Sequence, residues 1–284
     1  MAFPAKPTVP TLQASHAFAN GLVGAWLFFD STGITVSDYS GSNRHLLGTN
    51  VSTGSWGTDG GTARFLKLSA QGEAVSRLAT SGSLAALNFA TTDPWTLTML
   101  VRRHGAGAGG GTKPRYHSRT GNAMDFGLAA NTSPFGYQYF VGGWNSFQDS
   151  SASGAYEHLV ITKESGTGSK GRFYKNGVAN ANNPYSAGDG GNTGQVFFGT
   201  APGAMTENSQ LEIASIFYHN RALSAAEVLS NFTDTYAAFT PAAAAAEGTG
   251  APYIGMIDRG FYDHRHSYQG GSEHLLDWLA RGDD

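Results

Sequence analysis

Lys175-Asn176-Gly177-Val178, preceded by Gly171-Arg172-Phe173-Tyr174 and further back by His158-Leu159-Val160-Ile161-Thr162-Lys163, is the stretch that decides the architecture of this chain. Asn-Gly tolerates the positive φ values of a tight hairpin turn, and the residues on either side, Phe173 and Val178, suit a pleated strand. The same pattern of short, β-branched and aromatic runs bounded by turn residues recurs outward from it. It appears at 22–28, 64–68, 95–102, 137–142, 195–199 and 212–219. A helical signature stands out only near the end of this region. Ser224-Ala225-Ala226-Glu227 has capping-box spacing, and Val228, Leu229 and Phe232 follow at helical intervals, so a helix ending near Tyr236 is expected to pack one face on the strands.

Composition agrees with a strand-and-turn protein. The 284 residues include 39 glycines, about twice the ~7% average, while charged residues make up 14% against a typical ~25%. Low charge with 12% aromatics supplies enough apolar surface to order the chain. The glycines follow no three-residue period, which excludes collagen. A net charge of −3 without a basic stripe gives no electrostatic footing for nucleic acid. The absence of cysteine excludes disulfides, thiolate metal sites and a thiol nucleophile. Residues 1–20 lack a basic start followed by an apolar run, so no export leader is expected, and the longest apolar stretch, 22–29, is too short to span a bilayer.

Pro4, Pro7 and Pro10 recur at three-residue spacing, so residues 1–19 are expected to form an extended arm. Residues 20–239 hold the strand pattern. From 240 to 284 the composition shifts to an alanine- and glycine-rich connector and an aromatic tail with Tyr253, Phe261, Tyr262, Tyr268 and Trp278, too small for a core of its own. The proline arm and this tail are the expected anchoring segments, and they argue for self-association or contact with other chains.

Three stretches, in order, resemble one family. Gly21-Leu22-Val23-Gly24-Ala25-Trp26-Leu27-Phe28 with Val36-Ser37-Asp38-Tyr39-Ser40-Gly41 is similar to the opening of concanavalin A-like, laminin-G-like domains. Residues 156–162 and 172–178 resemble their central hairpin. Ile213 to Tyr218 with Asn220-Arg221-Ala222-Leu223-Ser224-Ala225-Ala226-Glu227 resembles their last strand and closing helix. The resemblance implies an all-β, two-sheet antiparallel jelly-roll sandwich with one short C-terminal helix and extended terminal arms. Members of the family commonly place acidic residues where Ala214 and Ser215 stand, which puts in doubt any role carried by those acids, a calcium site included.

Enzymes of this fold are largely polysaccharide hydrolases and lyases, and the hydrolases need two carboxylates facing one sugar. No two Asp or Glu residues lie at i and i+2 here, and the i, i+4 pair Glu273 and Asp277 falls in the tail. A non-enzymatic protein is therefore expected, with no catalytic residues. Gly105–Gly110 formally matches a dinucleotide fingerprint, but no helix follows to receive a phosphate, so a plain loop is expected. Asp30 and Asp38 are the candidate calcium ligands, against the reading that Asp38 and Ser40-Gly41 form a turn. His264 and His266 alternate near His274, without the further ligands a metal needs. Tyr137, Tyr139, Trp144 and Asn145 are the candidate carbohydrate-binding residues, because sugar faces stack on aromatics and Asn offers both a donor and an acceptor.

Two functions compete. Domains with this opening and closing look like those of bacteriophage head- and tail-associated proteins, which implies a structural protein in the virion. It would be a capsid decoration, cement or tail-associated protein with the major capsid or tail protein as partner, and with neither nucleic acid nor membrane. The alternative is a carbohydrate-binding module for cell-surface or environmental polysaccharide, calcium-assisted or free of any cofactor. A glycoside hydrolase or lyase of the same fold comes third.

Overall fold

Asn176 and Gly177 both adopt positive φ, 52° and 76°, and close the expected hairpin. The computed structural model describes residues 6, 10–30, 32–59, 63–68, 77–104, 115–120, 125–128, 136–140, 144–150, 154–166, 170–181, 183–186, 194–200 and 210–241. The chain divides into two compact units, Met1–Thr240 and Pro241–Asp284, and the sandwich lies in the first.

Its strands begin with β1 (Pro10–Leu12), β2 (Leu22–Trp26), β3 (Thr35–Val36), β4 (Leu46–Thr49), β5 (Trp56–Asp59), β6 (Ala63–Leu68), β7 (Arg77–Ser83) and β8 (Trp95–Arg103). They continue with β9 (Arg115–Arg119), β10 (Asp125–Leu128), β11 (Gly136–Phe140), β12 (Trp144–Ser150), β13 (Tyr156–Lys163) and β14 (Lys170–Lys175). After the hairpin turn come β15 (Val178–Ala179), β16 (Tyr185–Ser186), β17 (Gln195–Phe198) and β18 (Leu211–His219), then the helix α1 (Ala225–Thr233) and β19 (Phe239–Pro241). One sheet has the order β12-β11-β10-β9-β17-β7-β4-β3. The other runs β15-β14-β13-β8-β18-β6-β5, with β16 on β14 and β2 on β18.

Between the sheets lies the main core. Trp95, Leu97, Met99 and Val101 of β8 and Leu159 and Ile161 of β13 meet Phe126, Tyr137, Tyr139, Val196 and Phe198 from the opposite sheet. The period-2 alternation of β8 and β13 does this directly. β18 needs a correction to its register. A bulge between Ile213 and Ser215 adds one residue, so that Ile213, Ile216 and Tyr218 all reach the core.

A second cluster covers the outer face of the nine-stranded sheet. Ala25, Leu27, Val160, Tyr174 and Phe217 pack beneath Phe18, Leu223, Val228, Tyr236, Ala238 and Phe239. The capping box forms, with Ser224 Oγ accepting from the Glu227 N–H at 3.3 Å and Glu227 Oε2 accepting from the Ser224 N–H at 2.9 Å. The helix stops at Thr233, short of Tyr236, because Asp234 leaves helical geometry and its carboxylate accepts the Tyr236 N–H. Val228 and Asn231 are its buried residues, whereas Leu229, expected on the packed face, is 52% exposed.

Residues 10–19 of the N-terminal arm lie against the sandwich. Gln13 N–H donates to the Ala238 carbonyl, and Phe18 inserts beside Phe217 at 5.2 Å between ring centres. Pro10 keeps the extended conformation its ring favours, in β1, and the chain beyond it docks through the buried Phe18 ring. Strand β2 is also shorter than the expected 22–28, since Phe28 takes a left-handed φ of 53° and turns the chain.

Candidate functional site

Tyr137 and Tyr139 are fully buried between the sheets and cannot present a face to a sugar. Tyr137 stacks on Phe126 at 5.7 Å, and its hydroxyl donates to Glu157; Tyr139 packs against Trp95. They were offered as candidate sugar contacts against ordinary core packing, and the pleat of β11 turns them inward and leaves Gln138 on the other side. Trp144 and Asn145 open the edge strand β12, where they pair in register with Phe140 and Tyr139. Their side chains lie outside the described residues. So do Pro4 and Pro7, the tail aromatics Tyr253, Phe261, Tyr262, Tyr268 and Trp278, the tail histidines, and the 105–110 loop. Pro10 lies in β1.

Asp38 serves as a structural staple. Its carboxylate accepts the N–H groups of Ala25, Ser40 and Arg44 and the Ser40 hydroxyl, each at 2.9 Å. Four donors fill its lone pairs, so a cation would have to displace backbone groups that would then be left unpaired. Asp30 is engaged in the same way by the N–H and hydroxyl of Ser37, each at 2.9 Å. The two carboxylates thus tie a turn to β2. Among the described residues no group of three or more His, Asp or Glu side chains is placed to hold a metal ion.

Sequence reasoning missed a polar cluster formed across three strands. Tyr156, Arg102 and Glu212 are direct register partners on β13, β8 and β18. Arg102 Nε donates to Glu212 Oε2 at 2.6 Å, the Tyr156 hydroxyl donates to the same oxygen at 3.1 Å, and His104 Nε2 lies 2.5 Å from Oε1. The Arg102 guanidinium covers the Tyr156 ring at 4.6 Å. Only the pairing of β8 with both neighbours brings these residues together, and no spacing in the chain announces it. The cluster shows a guanidinium and an imidazole edge to solvent over a carboxylate that is already saturated.

Elsewhere several described ionisable groups are buried in structural partnerships. Glu157 pairs with Lys175 at 2.9 Å and Asp125 with Arg115 at 3.1 Å. His117 Nε2 meets the Tyr218 hydroxyl at 2.8 Å inside the core, and its pKa is lowered well below the usual value by burial and then by Arg119. Each of the nine acidic residues whose side chains are described accepts a hydrogen bond or ion pair, Asp93, Glu164, Glu227 and Asp234 included. A glycosidic acid–base pair needs carboxylates open to one substrate, and these hold backbone, cations or phenols instead.

Among the described residues no helix is long and apolar enough to cross a membrane. A family model described as the concanavalin A-like lectin/glucanases superfamily, Laminin_G_3, matches residues 76–229, more than half of the chain. No curated protein matches the chain in sequence. Among solved structures, the binding domain of botulinum neurotoxin DC, in complex with rat synaptotagmin II, superposes with a TM-score of 0.58 at 12% identity. That match covers 76% of this chain and 52% of that one. The binding domain of Paraclostridial Mosquitocidal Protein 1 gives 0.55 at 15% identity, with 76% and 52% covered. Trypanosoma rangeli sialidase in complex with sialic acid gives 0.52 at 15% identity, with 77% and 33% covered. The chain therefore spans about half the length of the two binding domains and a third of the sialidase, and at these identities the likeness is one of fold.

Proposed function

The chain belongs to the Laminin_G_3 family of the concanavalin A-like lectin/glucanases superfamily, and from that premise we propose that it is a non-catalytic binding protein whose ligand is a polysaccharide. The observation that carries this reading is the commitment of every described carboxylate to structural partners, on a fold whose hydrolases depend on a free pair. Trp144 and Asn145, at the start of the edge strand β12, are the proposed contacts. The solved neurotoxin and mosquitocidal relatives are themselves binding domains, which supports a recognition role over a chemical one. The test is retention on immobilised polysaccharides. Trp144→Ala should lose retention while keeping the wild-type melting temperature; unchanged retention removes this site, and hydrolysis of the polysaccharide removes the non-catalytic reading.

The setting we propose is a virion, where the sandwich is displayed on the particle and the segments 1–19 and 240–284 join it to capsid or tail protein and to further copies. The resemblance of the opening and closing motifs to bacteriophage structural domains supports it. Mass spectrometry of density-banded particles from the source culture tests it by counting copies of this chain against the shell protein. A fixed ratio supports decoration or attachment, and complete absence leaves a free polysaccharide-binding protein.

A further inference from the structure

Lys6 reaches the sandwich from the N-terminal segment and is only 8% exposed. Its ammonium donates to the Leu27 carbonyl at 2.6 Å. It also lies 5.3 Å from the centre of the Phe29 ring and 5.9 Å from that of Tyr236. A carbonyl oxygen and two aromatic faces are the groups that replace water around an ammonium ion. The walls come from distant parts of the chain. Tyr39 backs Phe29 edge-on at 5.8 Å, and Asp30 stands near enough to Tyr39 to add to the rise that burial gives its phenol. Phe28, between the two residues that supply the carbonyl and the first ring, holds its left-handed φ of 53°. For a bulky residue that conformation costs about 1–2 kcal/mol, and such strain gathers at ligand clamps.

We propose that the Leu27 carbonyl and the rings of Phe29 and Tyr236 form an ammonium-binding pocket whose built-in occupant is Lys6. Another alkylammonium, free in solution or carried by the N-terminal segment of a second copy, takes the same place when Lys6 leaves. The site is separate from the polysaccharide contacts at β12 and stands whether or not they do.

The test uses the full chain with Lys6→Ala and three probes in calorimetry: n-butylammonium chloride, neutral n-butanol, and the decapeptide of residues 1–10. Binding of n-butylammonium about tenfold tighter than n-butanol, the factor for one cation–π contact of about 1.4 kcal/mol, is expected. It should be undetectable in the wild type at the same concentrations and lost when Phe29→Leu is added. Peptide binding that vanishes with Lys6→Ala in the peptide shows that a second copy can fill the pocket. Equal binding of n-butanol and n-butylammonium overturns the proposal, as does peptide binding indifferent to its lysine. Should the Lys6→Ala chain fail to fold, acetylation of the wild type decides: Lys6 should react about tenfold more slowly than exposed Lys170, and faster when n-butylammonium competes. Equal rates for the two lysines overturn it.

Discussion

Lowering the pH from 7 to 5 should remove about 4 kcal/mol of stability, through two imidazoles buried on the outer face of the nine-stranded sheet. His158 Nε2 bonds Asn231 Oδ1 of α1 at 2.7 Å, and His219 Nε2 bonds the Phe18 carbonyl at 2.8 Å. Both rings are fully buried, and the Nδ1 of each has no hydrogen-bond partner among the described residues. The His158 ring faces Asn231 and the Phe232 ring, and its backbone N–H donates to Asn176 Oδ1. His219 faces Phe18, with Arg221 and Glu227 further off. Burial lowers both pKa values from 6.5 to about 4, with the Asn231 and Phe18 bonds opposing it. Between those values the unfolded chain binds a proton that the folded chain refuses, so stability falls as the pH drops below 6.5 and levels off near 4. At pH 5 each group has lost about 2 kcal/mol of the roughly 3 available, a large share of a total of about 5–15. His117 acts in the same direction. Glu227, lowered from 4.5 to about 2 chiefly by its hydrogen bond from Arg221, loses its contribution only below this window. Urea unfolding followed by tryptophan fluorescence at pH 7 and 5 measures the difference; with a slope of about 2 kcal/mol/M the midpoint should move by about 2 M. His158→Gln keeps a donor for Asn231 and cannot titrate here, so it should reduce the loss by about 2 kcal/mol, its own share. A midpoint that moves by less than about 0.5 M, or a His158→Gln chain with the wild-type pH response, would refute the reasoning.

Other perturbations follow from particular contacts. Asp38→Ala strips the acceptor from three backbone N–H groups and should cost about 3 kcal/mol, lowering the melting temperature by about 10 °C. Added calcium should leave the wild-type melting temperature unchanged, and a calcium-dependent rise that disappears in Asp38→Ala would restore a metal role. At Gly177 (φ 76°) a Cβ would sit 2.9 Å from Phe232 and 3.1 Å from Leu229, so Gly177→Ala should destabilise by about 2 kcal/mol in the same urea assay. Ser224→Ala removes the helix cap and should cost about 1 kcal/mol, with α1 losing amide-exchange protection before the sheets do.

The hairpin at Asn176-Gly177, the capping box at Ser224 and the strands at 95–103, 156–163 and 211–219 were legible because each is a local signal with one physical meaning. Strands β7, β9, β10 and β12 were not. Arg115-Tyr116-His117-Ser118-Arg119 shows no alternation of apolar and polar residues, yet all five are buried, because partners supplied by tertiary packing pair its polar groups. The same limit explains the site. Tyr137 and Tyr139 could be read from the sequence either as sugar contacts or as core residues, because which face of β11 meets the core depends on the sheet opposite. The Arg102–Glu212–His104 cluster depends on strands more than a hundred residues apart finding one register.

β18 lies alongside β8 for most of its length, and its other side is shared by β6 and β2. Among the described residues the last long strand in chain order is therefore an inner strand of its sheet. A nascent chain that has emerged only as far as residue 210 holds β2, β6 and β8 with the flanks meant for β18 open, and an unpaired strand flank is a template for pairing with another chain. The cap over Phe217 comes later still, since Tyr236, Ala238 and Phe239 follow it in the chain. Folding of this sandwich is thus dominated by long-range pairing and waits for β18, slow by the measure of its topology. Its period of greatest exposure to aggregation is the interval between the appearance of β8 and the arrival of β18.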